Sequence, residues 1–560
     1  MLPQHGRVRP PAPRHPRETP LRALLAAVPD VVPAEPPPQA LAREQVGGLE
    51  LAISGVTHDS RAVRAGDLFA ALPGEHAHGA RFSTQAVERG AVAVLTDPAG
   101  QADAVGAGVP VLVAEQLPEA LGRVCALVHD DPSAAVPVVA VTGTDGKTTT
   151  CWLVASALEA LGRPAGLIGS LDTLLDGRVL LHDEPQDRRT TPPAPDLQAT
   201  LALLRDSGAQ AVVMEASSHG LAQGRMAGTR TEVAVFTNLG HEHLDFHGDR
   251  ERYFAAKAAL FLGPTTRHCV VNVDDEHGGR LAGRLQALGR QPVTVSRAGS
   301  PAADWRARAV RLGPDGSSFV AVGPHGEVPV RLALTGRFNV DNALAALAAL
   351  VVLGAEPAAA AGALGRLPGV PGRMQWVRSD PLDGTSDDDH GVHALVDYAH
   401  TPGALEALLG TVREVVGRSG GPPPRVLLVL GTGGGRDATK RHRMGQAAGR
   451  GADVVVLTDD NPRHVDPAQI VAALRAGVAD AGRAARTTRA QVVHDRPGAI
   501  GLAVSLARPG DVVVVAGKGP DRVQLVGDRV LEVDDEQSLR KELGRIGLVG
   551  RRAKERSLTA

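Results

Sequence analysis

Aromatic side chains are scarce in this chain of 560 residues: eight Phe, three Trp and two Tyr. Single-stranded nucleic acid is held largely by bases stacked on exposed rings, so a base-stacking platform is not expected. Cysteine is rarer still. Cys125, Cys151 and Cys269 are odd in number and far apart, which argues against a disulfide framework or a zinc spacing and fits a reducing, cytoplasmic setting. An excess of one charge is also missing. The formal net charge is −2, so nothing pulls the whole molecule toward nucleic acid or an anionic membrane. No apolar run is long enough to cross a bilayer, and no apolar signal segment follows the Arg- and Pro-rich start.

What the chain does have is Ala, Val and Leu in an ordinary apolar fraction, and length for about three or four domains. Residues 1–20 are expected to be a disordered tail, and 551–560 a frayed one. Between them lie three blocks, 21–132, 133–370 and 371–550. Each alternates short β-branched runs with helical patterns, as in Ala211-Val-Val-Met-Glu215, Val426-Leu-Leu-Val-Leu-Gly431 and Asp511-Val-Val-Val-Val-Ala-Gly517. The fold class is therefore α/β, with mostly parallel sheets covered on both faces. Functional side chains should gather at the carboxyl ends of the strands. The insert 379–390 is acidic and turn-rich and reads as a solvated loop.

The run Val138-Val-Ala-Val-Thr-Gly-Thr-Asp-Gly-Lys-Thr-Thr-Thr150 has the order of a phosphate cradle. A strand delivers the turn. Gly143 and Gly146, flanking Thr144 and Asp145, let backbone amides close on a phosphate. The next helix offers its N-terminus, Lys147 a point charge, and Thr148 and Thr149 hydroxyls, of which Thr148 can reach Mg²⁺. Val141 stands where the full eight-residue loop has its first glycine, so this is a shortened loop or a chance Gly/Thr turn.

Glu215 ends an apolar strand and precedes Ala216-Ser-Ser-His219. It reads as a magnesium ligand or, with the serines, as a helix-capping cluster. Asn238-Leu-Gly-His-Glu-His-Leu-Asp-Phe-His247 packs three histidines and two acids into seven positions. Zinc is open there, but a magnesium–phosphate site suits the upstream loop better. Lys257 lies in an otherwise apolar helix. It is either an edge residue with a snorkelling amine or a buried amine made reactive by a depressed pKa. Asn339 and Asn342 share a helix face and would read a nucleobase edge or cap the helix. In the third block Asp397-Tyr-Ala-His-Thr-Pro402, Gly431-Thr-Gly-Gly-Gly-Arg-Asp437 and Asp459-Asp-Asn-Pro-Arg463 all follow strands. Arginines at strand ends suit planar carboxylates.

Together these motifs resemble the Mur ligases of peptidoglycan synthesis over roughly residues 45–545, and among them the members that add diaminopimelate. The resemblance implies a UDP-binding N-terminal domain, a central P-loop-type ATPase domain and a C-terminal Rossmann-like domain. It implies ATP-dependent ligation of a diamino acid, meso-2,6-diaminopimelate foremost, to the D-Glu carboxylate of UDP-MurNAc-L-Ala-D-Glu through an acyl phosphate, by a cytoplasmic monomer. Thr57-His-Asp-Ser-Arg61 is similar to the uridine-nucleotide loop, with Ser60 as its contact. Thr190, Thr191, Ser217, Gln223 and Arg225 match positions that hold the muramoyl peptide. Residues 143–149 match the ATP loop, and Asn339, Arg373 and Asp397 match further ATP contacts. Thr148 and Glu215 would hold one Mg²⁺. His243 and Lys257, carbamylated in this family, would serve a second.

Asp460-Asn-Pro-Arg463 resembles the signature of diaminopimelate-adding members, with Asp460, Asn461 and Arg463, together with Arg436, Gly517 and Asp521, around the acceptor. Two features depart from the family. Gly517-Lys-Gly-Pro-Asp521 replaces Gly-Lys-Gly-His-Glu, and Glu242 stands where Asp is usual. The rival readings are a paralogue with a different acceptor, a non-catalytic protein that binds the UDP-muramoyl peptide or ATP, and a folylpolyglutamate synthetase-like ligase. The blocks at 57–61 and 460–463 argue against the last.

Overall fold

A computed structural model describes residues 10, 18–34, 51–74, 77–182, 189–240, 242–378, 391–417, 424–435, 438–482, 485–487 and 489–558. The insert 379–390, Arg436, His241 and most of the tail 1–20 lie outside them. Among the described residues, regular structure begins at Thr19, inside the expected tail. Strand Thr19–Pro20 pairs antiparallel with Ala52–Ile53, and Leu21 N–H donates to the Leu51 carbonyl at 2.8 Å.

The first sheet runs in the order Val32–Pro33, Val111–Val113, Ala93–Thr96, Asp67–Ala70, Gly55–Thr57, and is parallel except at the Val32–Pro33 edge. Helix Leu117–Val128 carries Leu117, Ala120, Leu121, Val124 and Val128 at helical spacing and buries that stripe on the sheet. The helix also meets the second block backbone to backbone. A Cβ on Gly122 would overlap the Ala227 carbonyl, and one on Gly228 would overlap the Gly122 carbonyl. A glycine inside a helix costs about 0.5–1 kcal/mol; here it permits the contact. Arg205 Nη1 reinforces the joint, donating to the carbonyls of His129 (3.1 Å) and Asp130 (3.2 Å).

The second sheet has eleven strands. Seven of them are parallel neighbours: Ala165–Ile168, Ala211–Glu215, Val138–Thr142, Thr231–Phe236, Thr266–Asn272, Val293–Ser296 and Trp305–Gly313. Successive side chains of a strand point to opposite faces. Accordingly Val139, Val141, Val213 and Val235 join one core, under helices Lys147–Ala160 and Arg337–Val352, and Val138, Ala140, Val212 and Met214 join another, under Ala194–Asp206 and Arg250–Leu262. The expected mostly parallel sheet holds for this centre. Both edges are antiparallel: Thr173–Leu175 with Arg178–Leu181 on one side, Gly316–Gly323 and Gly326–Leu332 on the other.

The third sheet runs Gln375–Trp376, His393–Asp397, Val512–Ala516, Val426–Leu430, Val454–Leu457, Gln491–Val492, parallel except at Gln375–Trp376. Its carboxyl edge gathers Asp397, Gly431, the segment 458–463 and Gly517. Arg496, at the start of helix Arg496–Leu506, grips Asp535 through two hydrogen bonds of 2.6 and 2.7 Å, both side chains fully buried. Its Nη2 also donates to the Ala516 carbonyl at 3.2 Å, tying the last helix to the sheet. That helix, Asp535–Leu558, runs into the stretch expected to fray.

Candidate active site

The phosphate-loop motif lies where a cradle must be, between strand Val138–Thr142 at the centre of its sheet and helix Lys147–Ala160. Gly143 and Gly146 both have positive φ, +153° and +85°. A Cβ on Gly143 would overlap the Thr237 hydroxyl, and one on Gly146 would overlap the Asn342 side-chain oxygen. The loop is cross-braced by the neighbouring strand end. Thr144 N–H donates to the Asn238 carbonyl at 3.0 Å, Asp145 N–H to Asn238 Oδ1 at 3.0 Å, and Thr237 Oγ1 to the Asp145 carbonyl at 2.6 Å.

Lys147, Thr148, Glu215, His243 and Lys257, the residues read as the charge and metal centre, line one cavity of about 150 Å³ together with Glu242. Lys257 is 1% exposed, which removes the edge-residue reading. Its Nζ donates to the Gly143 carbonyl at 2.7 Å and lies 4.6 Å from the centre of the Tyr253 ring. Burial, with Lys147 nearby, drives its pKa well below the usual lysine value. Lys147 Nζ donates to the carbonyls of Gly143 (3.0 Å) and Thr144 (2.7 Å). His243 has left-handed backbone, φ 57°. Desolvation, then His219 and the two lysines, lower its pKa to about 3, so the imidazole is neutral at physiological pH. Glu215 Oε1 accepts from Ser170 N–H at 2.9 Å, and Oε2 accepts from Ser170 Oγ at 3.2 Å. Capping belongs instead to Ser217, whose Oγ accepts from Gly220 N–H at 3.1 Å.

Thr190 and Ser217 open on the same cavity, and Thr191 sits behind them, donating to the Glu215 carbonyl at 2.8 Å. Arg225 Nη1 donates to the Thr191 carbonyl at 2.8 Å, and its Nη2 to Gln223 Oε1 at 2.5 Å. Neither Arg225 nor Gln223 lines the cavity.

A second cavity of about 350 Å³ adjoins the first, lined by Asp145, Gly146, Thr149, Asn339, Arg373 and Asp397. Gly336 caps helix Arg337–Val352 without a side-chain bond, so the asparagines are not its cap. Asn339 Nδ2 donates to the Thr335 carbonyl at 2.8 Å, and Asn342 Nδ2 to Asn339 Oδ1 at 3.2 Å. Arg373 bridges the two blocks: Nη2 donates to Thr148 Oγ1 at 3.2 Å, and the guanidinium lies 4.4 Å from the centre of the Tyr398 ring. Asp397 accepts from the backbone N–H groups of Met374 and Ala399, both at 2.7 Å; burial nevertheless raises its pKa. Glu242 reaches toward the third block, 3.8 Å from His400 Nε2.

Other predicted residues lie elsewhere. Ser60, nearly buried beside the first sheet, donates to Gln85 Oε1 at 2.8 Å. Asp460, Asn461, Arg463, Gly517 and Asp521 cluster at the third sheet's carboxyl edge and line neither cavity. Asp460 lies 3.8 Å from the buried Lys518 Nζ, Arg463 Nη1 donates to the Gly434 carbonyl at 2.8 Å, and Gly517 N–H donates to the Asp397 carbonyl at 3.1 Å. Sequence reasoning missed Tyr253, whose hydroxyl is 3.0 Å from Thr144 Oγ1, and the polar wall of the second cavity at Asp274 and Asp341. A lone Tyr in an apolar helix carries no signal of its own; Asp341, between Asn339 and Asn342, was on the marked helix turn.

Among the described residues no three His, Cys, Asp or Glu side chains converge to hold a metal ion. Glu215 and Thr148 supply hard oxygens on one wall. Such oxygens suit a hard cation such as Mg²⁺.

Three family models match in sequence: the Mur ligase family catalytic domain over residues 52–129, the Mur ligase middle domain over 141–350, and the Mur ligase glutamate ligase domain over 372–519. The chain is 43% identical to the UDP-N-acetylmuramoyl-L-alanyl-D-glutamate–2,6-diaminopimelate ligase of Streptomyces coelicolor over 493 residues, 88% of this chain and 92% of the relative. It is also 43% identical to the enzyme of that name from Streptomyces avermitilis, over 95% of this chain and 98% of the relative. A solved structure of a ligase of the same name superposes with a TM-score of 0.63 at 30% identity, covering 94% and 99% of the two chains.

Proposed function

Because the chain belongs to the Mur ligase family of ATP-dependent amide-bond-forming enzymes, we propose that it joins a diamino acid, most specifically meso-2,6-diaminopimelate, to the D-Glu carboxylate of UDP-MurNAc-L-Ala-D-Glu in peptidoglycan precursor synthesis. The carrying observation is that Lys147, Glu215, His243 and Lys257 line one cavity, next to a second reached by Arg373. The reaction is cytoplasmic and carried out by a monomer. The first sheet holds the uridine end near Ser60, the central sheet holds ATP and the muramoyl peptide, and the third holds the acceptor.

The carboxylate attacks the γ-phosphorus of ATP, giving an acyl phosphate and ADP. The acceptor's neutral amine adds to the acyl carbon, and inorganic phosphate leaves with the electron pair of the C–O bond, taking up the proton that the nitrogen gives up. Lys147 and the loop amides offset charge on the transferring group, where positioning and electrostatics carry most of the catalysis. Thr190, Thr191 and Ser217, with Gln223 and Arg225 behind them, orient the peptide carboxylate. Asn339, Arg373 and Asp397 hold the nucleotide. Arg463 and Arg436 grip the acceptor carboxylate, and Asp460 and Asp521 face its amino groups. Thr148, Glu215, His243 and carbamylated Lys257 would hold Mg²⁺, which when bound offsets the charge of the phosphate oxygens.

The test is phosphate release by the purified protein with ATP and UDP-MurNAc-L-Ala-D-Glu against a panel of diamino acids. Turnover that needs both the UDP-dipeptide and diaminopimelate is expected. ATP hydrolysis indifferent to the UDP-dipeptide overturns the reading. One observation favours a different acceptor: the Pro520 ring packs so tightly on Gly372 that a Cβ there would overlap it, and Asp521 is shorter than the family's Glu. Turnover with another diamino acid and none with diaminopimelate is the result that would establish this second reading.

A further inference from the structure

Arg463 is one of the few non-glycine residues with left-handed backbone, φ 54°. Such a conformation persists where its surroundings fix it. The fixing element is a hairpin of strands Val523–Val526 and Arg529–Glu532, placed just after the loop 517–521. Arg463 N–H donates to the Leu525 carbonyl at 2.9 Å, and the Arg463 carbonyl accepts from Gly527 N–H at 2.7 Å. Two residues earlier, Asn461 Oδ1 accepts from Leu525 N–H at 2.9 Å. Both polar backbone groups of Leu525 are thus committed to the segment 460–463. At its other end the hairpin is held by Lys518, whose fully buried Nζ donates to the Val523 carbonyl and lies 3.8 Å from Asp460.

The hairpin does little else for the fold. Of its eight strand residues Gln524 alone is buried, and Val530 is 54% exposed. It is held by directional bonds rather than by a core, and those bonds fall on the two segments assigned to the acceptor. Asn461, read from sequence as an acceptor contact, uses its side-chain oxygen on the hairpin.

We propose that this hairpin is a positioning element for the acceptor site, a backbone brace that fixes Asn461 and Arg463 through Leu525 and Gly527. The assignment rests on the proposed function for its kinetic consequence, though not for its structural one. Gly527 tests it without replacing an acceptor residue. Proline at 527 has no N–H and cannot adopt the observed φ of +56°. Gly527→Pro should raise KM for diaminopimelate about tenfold, the scale of one lost hydrogen bond, with KM for ATP and for the UDP-dipeptide unchanged. A methyl on Gly527 meets open space but is strained at this positive φ; Gly527→Ala keeps the N–H, so it should raise the acceptor KM by less than Gly527→Pro does.

Hydrogen exchange on the full-length protein without ligands gives a readout independent of the reaction. Asn461→Ala should speed exchange across 523–532 while the melting temperature of the rest is kept. Unchanged exchange in Asn461→Ala overturns the brace, as does an unchanged acceptor KM in a folded Gly527→Pro. If the wild-type protein ligates no diamino acid, the proposed function fails, and the exchange experiment still decides the brace.

Discussion

Two lysines donate to one carbonyl oxygen, that of Gly143. Two ammonium groups so close repel, and the buried one yields its proton more readily; a neutral buried amine is the form that takes up carbon dioxide. Lys257→Ala is therefore expected to lower kcat by more than about a hundredfold, and ¹³C-bicarbonate should give a carbamate resonance in the wild type that the variant lacks. Near-normal turnover would remove the lysine from the mechanism. Gly143→Ala should abolish nucleotide binding, read by calorimetry, because its Cβ and the Thr237 hydroxyl claim the same space. Asp341 supplies a pH test. Burial, eased by Arg297 and worsened by Asp274, raises its pKa from 3.8 to about 6. A carboxyl whose folded pKa is raised stabilises the fold below its unfolded pKa and loses that contribution as pH climbs through the folded value. Asp341→Asn should thus gain on the wild type between pH 4 and 7, by roughly 2–3 kcal/mol, measured as the difference in unfolding free energy at each pH. A difference that stays flat or shrinks refutes the assignment.

Elements were legible where one physical rule sufficed. The run 138–142 reads as a buried strand because five consecutive apolar or β-branched residues need cover on both faces, and they have it. The meander of Trp305–Gly313, Gly316–Gly323 and Gly326–Leu332 went unread, although Pro314-Asp-Gly316 and Pro324-His-Gly326 are turn signals and the last strand alternates buried with exposed residues. The expected alternation of strand and helix masked them. Site residues were legible as side-chain chemistry at strand ends. Burial was not, which is why sequence alone leaves Lys257 open between an edge residue and a buried amine. Arg496 gave no signal either, since a charge early in a helix is normally solvated. Its pair with Asp535 carries the element-scale prediction: Arg496→Met leaves a carboxylate buried without its partner and should cost about 3–5 kcal/mol in chemical denaturation. Arg496→Met combined with Asp535→Leu should recover most of the loss.

Across the whole molecule the phosphate loop and the acceptor segments stand on different sheets, and the connection between them passes through Gly372 and Arg373. Gly372 has φ +63°, with Gly519 and Pro520 against it. Arg373 in turn touches Thr148. Gly372→Ala should push Pro520 off this segment and shift Arg373 from Thr148. The expected outcome is a KM for ATP raised about tenfold, with affinity for the UDP-dipeptide retained. An unchanged KM for ATP would count against Arg373 as a nucleotide contact.

The interlocked glycines at 122 and 228 bear on how such proteins are recombined. A donor whose helix or facing turn carries any side chain at either place cannot seat against the recipient, however well each half folds. Chimeras cut near residue 132 should therefore be insoluble or inert unless both partners keep the pair, whereas exchanges at 371 transfer the first two modules as a single cassette.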